Sequence, residues 1–286
     1  MNVLRTGFLL ALLTVLLVFI GQLVGGAQGA TMAFGVALLM NFISYWFSDK
    51  IVLAMYKAKP LSETEAPQAY RAVREIAARE HMPMPKLYWI ATRTPNAFAT
   101  GRSPQHASVA VTSGLLELMS EEELKGVLAH ELSHVKNRDT LVMTIAAALA
   151  GAIMWLAHMA EWSLWLGGSR NNREENRGSA AGQLIVMLFI AILAPLAAML
   201  IQLAISRTRE YGADDSGAHL AGSPSGLASA LEKLDRAARD YPLPNANAAT
   251  AHLFIVNPLS AGMIANLFST HPPIAERIRR LRSMRL

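Results

Sequence analysis

A short motif in the middle of the chain places two histidines and a glutamate at the spacing of a metal site. His130, Glu131 and His134 fit the pattern H-E-x-x-H. On a helix, residues four apart project from the same face, so both imidazoles can reach one ion. The glutamate between them is then placed as a general base for the water that attacks a peptide bond. The motif predicts a hydrolase that holds one Zn²⁺ per chain.

A catalytic zinc site needs a third protein ligand, and four candidates lie together downstream at Glu210, Asp214, Asp215 and His219. The motif comes just before one long apolar run, and Glu210 comes just after another. A hairpin formed by these runs would return Glu210 to the histidines, so we expect Glu210 to be the ligand. Asp214 shares a helical face with Glu210 and can hydrogen-bond to a ligating imidazole. The alternative is an ion cluster at a membrane interface.

The helix that must hold the motif carries its own start signal. Ser120 and Glu123 form the sequence pattern of a capping box, and apolar residues follow at helical spacing. An earlier amphipathic helix is expected from Pro67 to Met82, where a Met-Pro-Met-Pro sequence stops it.

Two short strands are expected between these helices, at 86–90 and 107–112, because both segments are rich in β-branched and aromatic residues. Between them, residues 94–101 predict a turn followed by a short edge strand. On this edge, Asn96, Ala97 and Phe98 are candidates to pair with the backbone of a substrate, which gives little sequence specificity. The competing interpretation is an ordinary exposed turn with Phe98 packed in the core.

Four apolar runs, at 7–24, 30–47, 140–160 and 183–205, approach the length of about 20 residues that a spanning helix needs. The chain is 52% apolar and only 16% charged, and the shortage of charge is confined to these runs. A cleavable signal peptide is the alternative for the first run. A second apolar run follows it directly, which favours a helical hairpin.

The distribution of positive charge predicts the topology. Segment 48–139 carries 12 Lys and Arg residues and segment 206–286 carries 10, whereas residues 23–30 have none. Both polar segments are therefore expected in the cytoplasm, although three arginines in the 167–181 loop oppose this assignment. We expect a mainly α integral membrane protein with about four transmembrane helices and a zincin-like α+β catalytic domain containing a small sheet. The expected parts are two transmembrane hairpins (1–56 and 140–205) and two catalytic segments (57–139 and 206–286).

Composition excludes some chemistries. With no cysteines, the chain can form neither a disulfide framework nor a thiol nucleophile. The formal charge of +5 is attributed to contact with anionic lipid, and no nucleic-acid partner is expected. The arginine-rich helix from Ile274, which includes Arg277, is expected to present a solvated face towards lipid headgroups.

Five motifs, in order and in context, carry a resemblance to a known family. They are the two N-terminal spans, 95–99, 130–139, 209–214 and 269–273. The chain resembles the HtpX family of bacterial heat-shock membrane metalloproteases and, more distantly, the CAAX prenyl proteases. The resemblance implies zinc ligands at His130, His134 and Glu210, Glu131 as general base, and Asp214 as a partner of a ligating histidine.

The same resemblance implies a multi-pass protein of the bacterial inner membrane whose active site faces the cytoplasm. The implied role is quality control under stress, by cleavage of unfolded or membrane-protein polypeptides, with other membrane quality-control proteases as partners. His271 precedes two prolines and is a candidate donor to the developing oxyanion, or simply a helix-entry residue. Three alternatives are a structural metal site without catalysis, a chaperone-like role, and prenyl-peptide processing.

Overall fold

The structure, a computed structural model, describes residues 2–150, 153, 207–240, 253–255 and 272–286. The described elements are α1 (Asn2–Met55), β1 (Lys59–Pro60), α2 (Pro67–Arg79), β2 (Lys86–Ile90), β3 (Ala97–Thr100), β4 (Ser108–Thr112), α3 (Ser113–Leu118), α4 (Glu121–Lys136), α5 (Asp139–Ala150), α6 (Arg207–Ala221), α7 (Pro224–Asp240) and α8 (Ile274–Ser283). The protein is mainly helical with one small sheet, as the sequence predicts.

Helix α1 is divided by non-helical backbone at residues 25–26 into two helices that fold against each other. A Cβ added to Gly21 would lie 2.5 Å from the carbonyl oxygen of Gly29, so the two helices touch near the kink. Farther away, the Asn41 side-chain amide donates to the Leu10 carbonyl oxygen at 3.3 Å. The first two apolar runs therefore form the expected hairpin.

One helix among the described residues, Gly25–Met55, is long and apolar enough to cross a membrane. Thr6–Phe19 and Asp139–Ala150 are shorter apolar helices. Large side chains on the long helix are exposed, including Phe34 and Phe42, and an exposed apolar surface of this extent suits lipid. The third apolar run is described only in part, and the fourth lies outside the described residues.

The sheet has four strands in the order β1-β2-β4-β3. Strands β2 and β4 are parallel, and β3 pairs antiparallel with β4 as an edge strand. The expected strands at 86–90 and 107–112 are present, and the expected edge strand spans Ala97–Thr100. This edge faces α4, so the sheet brings β3 to the helix that carries the histidines.

Helix α4 is packed between α2, α6, α7 and β3. Its start is the predicted capping box, because Ser120 Oγ accepts from the Glu123 N–H and the Glu123 carboxylate accepts from the Ser120 N–H. Leu128 and Leu132 are fully buried, and each such leucine contributes about 1.5–3 kcal/mol of transfer free energy. The motif thus sits on a largely buried helix.

Candidate metal centre

Helix α4 presents His130, Glu131 and His134 in the protein interior, where each side chain is almost completely buried. The two imidazole rings lie with centroids 4.8 Å apart and nearly perpendicular planes. This is the consequence of the four-residue spacing, which places both rings on the side of α4 that faces α6. Burying two imidazoles and a carboxylate costs free energy unless partners compensate, so their partners define the site.

Helix α6 supplies Glu210, whose two carboxylate oxygens face the two histidines. The His134 Nε2 lies 3.6 Å from Oε1 and the His130 Nε2 lies 3.9 Å from Oε2. One ligand-type atom from each of the three residues falls within 4.8 Å of the others. The structure thus brings together the three residues that the sequence predicts as ligands.

The close approach of α6 to α4 depends on Gly217. A Cβ at this position would lie 2.9 Å from the Cα and 3.0 Å from the backbone nitrogen of His130, closer than normal packing allows. Glu210, Asp214 and Gly217 recur at intervals of four and three, so they share the helical face that meets α4. A glycine therefore lets the two acids of α6 reach the histidines.

The opposite nitrogen of each histidine faces an aspartate. The His130 Nδ1 lies 3.1 Å from an Asp214 carboxylate oxygen, off the line of a well-formed hydrogen bond. The His134 Nδ1 lies 3.4 Å from Asp139. Such carboxylates fix the imidazole tautomer and leave Nε2 free to ligate. Asp214 takes the place that the sequence predicts, and Asp139 is an additional partner.

Arg277 of α8 is fully buried against this centre, which the sequence does not predict. Its Nε and Nη2 donate to the two oxygens of Asp214 at 2.8 and 2.7 Å, and its Nη1 donates to the Ile255 carbonyl at 3.2 Å. The same guanidinium lies 3.7 Å from Glu210. The expectation of a solvated face on this helix is wrong for Arg277 because α8 packs against α6 and α7; Arg279, two residues on, is exposed. The role of Arg277 becomes visible only in the packing of α8 against the face of α6 that carries Glu210 and Asp214.

Burial raises the pKa of Glu131 to about 8, and the nearby Glu210 carboxylate acts in the same direction. His134, the Ala99 N–H and Arg277 oppose this shift. The Ala99 N–H donates to the Glu131 carboxylate at 2.8 Å, which ties the acid of the motif to the edge strand β3. A carboxyl group with a raised pKa is suited to taking up and releasing a proton near neutral pH.

The two histidines are shifted in opposite directions. Burial lowers the pKa of His130, and the charge of Arg277 adds to this, although Asp214 opposes it. Burial also lowers the pKa of His134, but Asp139 and Glu210 outweigh it and the net shift is upward. The guanidinium of Arg277 likewise holds the pKa of Asp214 below its usual value against the effect of burial.

The donor set fits zinc. Two imidazole nitrogens and a carboxylate are the ligand types that zinc prefers, and ligand distances of about 2.0–2.2 Å imply neighbouring ligand atoms about 3.4 Å apart. The observed separations of 3.6 and 3.9 Å need only a small contraction. Besides Glu131, three carboxylates meet two guanidinium groups at this centre, those of Arg209 and Arg277, so the net charge is negative and favours a cation.

The three predicted substrate-binding residues lie beside the centre but are covered. The Asn96 Oδ1 accepts from the backbone N–H of Ala97 and of Ile255. Phe98 is 2% exposed and packs with Tyr56 and Phe254. The side chain of Phe98 is therefore in the core, while the backbone of β3 forms the sheet edge nearest Glu131.

Two of the four candidate ligands do not join the centre. His219 is exposed, and the Asp215 side chain is 49% exposed and faces Arg280 at 3.9 Å. His271 lies outside the described residues, so its predicted contact with an oxyanion stays a prediction.

Comparison with known proteins adds evidence independent of the geometry. The profile of Peptidase family M48 matches residues 63–285, which contain all three ligand candidates and Arg277. A Protease HtpX homolog from Syntrophobacter fumaroxidans is 59% identical over 280 residues, with 98% of each chain covered. One from Pyrococcus furiosus is 55% identical, covering 98% of this chain and 95% of that protein.

Among solved structures, the crystal structure of Ste24p from S. mikatae resembles this chain with a TM-score of 0.50 and 19% identity. The match covers 96% of this chain and 62% of that one, so this chain spans less than two thirds of that protein's length. The likeness concerns the fold.

Proposed function

The chain belongs to peptidase family M48 and is a zinc metalloprotease, and on this premise we propose that His130, His134 and Glu210 bind the zinc ion. One observation carries the assignment. Both Nε2 atoms face the Glu210 carboxylate at 3.6–3.9 Å, although Glu210 follows His134 by 76 residues in the chain. Two imidazoles and a carboxylate that converge in one site form a donor set that suits zinc.

We propose Glu131 as the general base of peptide hydrolysis. When bound, zinc polarises the scissile carbonyl and strengthens water as a nucleophile. Glu131 takes the proton of the attacking water and passes it to the leaving amine. The Ala99 N–H donates to the Glu131 carboxylate and orients it beside the proposed ligands. No covalent intermediate with the protein is formed.

The groups behind the ligands hold them in place. Asp214 and Asp139 each face an Nδ1, which fixes the tautomer of the two imidazoles and directs Nε2 at the zinc position. Arg277 fixes Asp214 through two parallel hydrogen bonds, a geometry that lysine could not supply. These residues position the ligands without touching substrate.

The edge strand β3 is proposed as the binding strand for an extended substrate, through Asn96, Ala97 and Phe98. The Ala99 N–H points away from β4 towards Glu131, so the outer edge of β3 runs beside the reacting groups. Recognition by backbone pairing suits many unfolded sequences. Because residues 96–100 are buried, the segment at Ile255 that contacts Asn96 must move aside first. His271 remains the proposed oxyanion donor.

We further propose a multi-pass protein of the inner membrane with four spans and a cytoplasmic active site, which cleaves misfolded or damaged membrane proteins together with other quality-control proteases. The hairpin of α1, with no charged residue between Arg5 and Asp49, supports the membrane setting. Because the chain has no cysteine, single cysteines can report topology. An impermeant maleimide should label Ser169→Cys from the periplasm and Ser225→Cys only after the membrane is opened; the reverse pattern would contradict the orientation.

The catalytic assignment is tested with Glu131→Gln and a matched variant, Glu121→Gln, which changes an exposed glutamate on the same helix. Each protein is purified in detergent, its zinc content is measured, and cleavage of an unfolded model protein is followed. We expect Glu131→Gln to keep one zinc and lose roughly 10²–10⁴-fold in rate, the usual contribution of a general base. Glu121→Gln should cut like wild type.

Two results would overturn the assignment. Equal cleavage by wild type and Glu131→Gln would show that another group is the base. Bound zinc with no cleavage of either unfolded or membrane-inserted protein would favour a structural metal site.

A further inference from the structure

A basic cleft lies where the long helix of α1 joins the catalytic domain, far in sequence from the metal ligands. It has a volume of about 470 Å³. Its cations are Lys50, Lys86 and Arg102, and its large apolar members are Phe42, Trp46, Phe47 and Met84. The end of α1, the start of β2 and the segment after β3 therefore contribute to one surface.

Among the residues that the structure describes, no carboxylate lies within 4.0 Å of any of the three cations of the basic cleft. Asp49 is the one acidic residue in the lining. Several other cations of the domain do pair with carboxylates: Arg71 with Glu121, Arg74 with Glu63, Lys125 with Glu75, and Lys136 with Glu80. The cleft thus concentrates positive charge that the protein itself does not neutralise.

Aromatic rings hold two of these cations in place. The Arg102 guanidinium lies 4.6 Å from the ring centroid of Trp46, and its Nη1 donates to the Trp46 carbonyl oxygen at 3.5 Å. The Lys50 ammonium lies 5.3 Å from the Phe47 ring. Cation–π contacts of this kind orient a cation while leaving its outer donors available. Trp46 and Phe47 are themselves 45% and 42% exposed.

The position of the cleft along α1 matches the boundary of a bilayer. Asp49 and Lys50 are the first charged residues after an uncharged stretch that reaches back to Arg5. Tyr45, Trp46 and Phe47 directly precede them, and aromatic residues of this kind concentrate at the membrane–water interface. Val52 and Leu53, just beyond, are buried in the catalytic domain with Phe98. The cleft therefore lies at headgroup depth.

From this convergence we propose that the basic cleft binds the phosphate of an anionic phospholipid, with the acyl chains lying along the exposed aromatic face of α1. Lys50, Lys86 and Arg102 supply charge-assisted hydrogen bonds to the phosphate. Phe42 and Trp46, four residues apart on α1 with ring centroids 6.2 Å apart, supply the apolar contact. An acidic peptide would use the charge but not the membrane-facing aromatic side, so lipid is the better match.

The experiment uses the full chain, purified and delipidated in detergent, and native mass spectrometry to count bound lipid. Phosphatidylglycerol is titrated against phosphatidylcholine, whose headgroup has no net charge. The test variant is Lys50→Gln, Lys86→Gln and Arg102→Gln combined. Each surface cation contributes about a fivefold factor to binding of anionic lipid, so the triple variant should bind phosphatidylglycerol roughly a hundredfold more weakly.

A matched control removes three exposed or half-buried cations of α2 and α4 that pair with carboxylates: Arg71→Gln, Arg74→Gln and Lys125→Gln. It should bind the lipid like wild type. A charge-preserving variant, Lys50→Arg with Lys86→Arg and Arg102→Lys, should keep most of the affinity and exclude misfolding as the cause of any loss.

Three outcomes would overturn the proposal. Equal loss in the control variant would show general attraction rather than a site. Equal binding of phosphatidylcholine would show that the phosphate charge is not recognised. Displacement of the lipid by millimolar inorganic phosphate would identify a site for a free anion. Because none of the three cations contacts the metal centre, failure here leaves the protease assignment intact.

Discussion

Replacing Gly217 with alanine should push apart α4 and α6, the two helices that carry the proposed zinc ligands. The new Cβ would lie 2.9 Å from the His130 Cα, whereas ordinary contact begins at 3.4 Å. The difference, 3.4 − 2.9 = 0.5 Å, must be taken up by backbone on both helices, since the neighbour is main chain and cannot rotate away. Zinc sites tolerate only about 0.2 Å of error in ligand distance.

The expected cost follows from two opposing effects. Overpacking a tight contact costs about 1–3 kcal/mol, while alanine improves helix propensity over glycine by about 1 kcal/mol. We expect a net loss of stability of about 0–2 kcal/mol and, because His130 moves relative to Glu210, a zinc affinity lower by roughly 10–100-fold. Gly212→Ala is the control on the same helix, because a Cβ there meets nothing within 4 Å.

The assay is competition for zinc with a chelator of known affinity, together with thermal unfolding of the metal-free proteins. Gly212→Ala should bind zinc like wild type and be slightly more stable. The reasoning would be refuted if Gly217→Ala matched Gly212→Ala in both measurements, because α6 would then be free to move without disturbing the ligands.

Three further predictions concern the surroundings of the site. Arg277→Lys should lose the paired hydrogen bonds to Asp214 and thereby lower both the zinc affinity and the melting temperature, since breaking a buried pair costs about 3 kcal/mol. Arg279→Lys, on the exposed side of α8, should change neither quantity. Equal effects of the two substitutions would show that Arg277 does not position the ligands. Burial raises the pKa of Glu123, but Lys233 and other donors outweigh it and hold the pKa at about 2, so this carboxylate stabilises the fold above pH 4.5 and the gain is lost as pH falls towards 2. Glu123→Gln should flatten the melting temperature across that window, and an unchanged pH profile would contradict the assignment. Chelation of zinc should lower the melting temperature of the wild type. Adding zinc at a hundred times its dissociation constant should raise the free energy of unfolding again by about 2.7 kcal/mol. An unchanged melting temperature would mean that zinc does not bind the folded state preferentially.

Local spacing was sufficient for the features that depend on one helix. The four-residue spacing of His130 and His134 places them together whatever surrounds them, and the capping box at Ser120 is likewise a contact between residues three apart. The hairpin of α1 was predicted because two apolar runs follow each other directly, which favours a hairpin over a cleaved signal peptide. Glu210 was predicted to join the site because a hairpin formed by the third and fourth apolar runs would bring it back to the histidines. That prediction rested on the expected topology of the chain and not on local spacing.

Contacts between distant segments were decided only by the tertiary structure. Nothing local separates Arg277 from the other arginines of α8, yet it alone among them is fully buried, because it meets Asp214 at a distance of 63 residues in the chain. Asp139 became the partner of His134 because α5 begins immediately beside the end of α4, and Phe98 entered the core because Tyr56 and Phe254 close over it.

The sequence by itself therefore determined the chemistry, since ligand type, helical spacing and apolar length are written in neighbouring residues. The tertiary structure decided which charges are buried together. A buried charge is stable only beside a partner. Arg277 and Asp214 are partners because α8 packs against α6. Among the described residues, the cations of the basic cleft lack a carboxylate partner because of where the end of α1 meets the sheet.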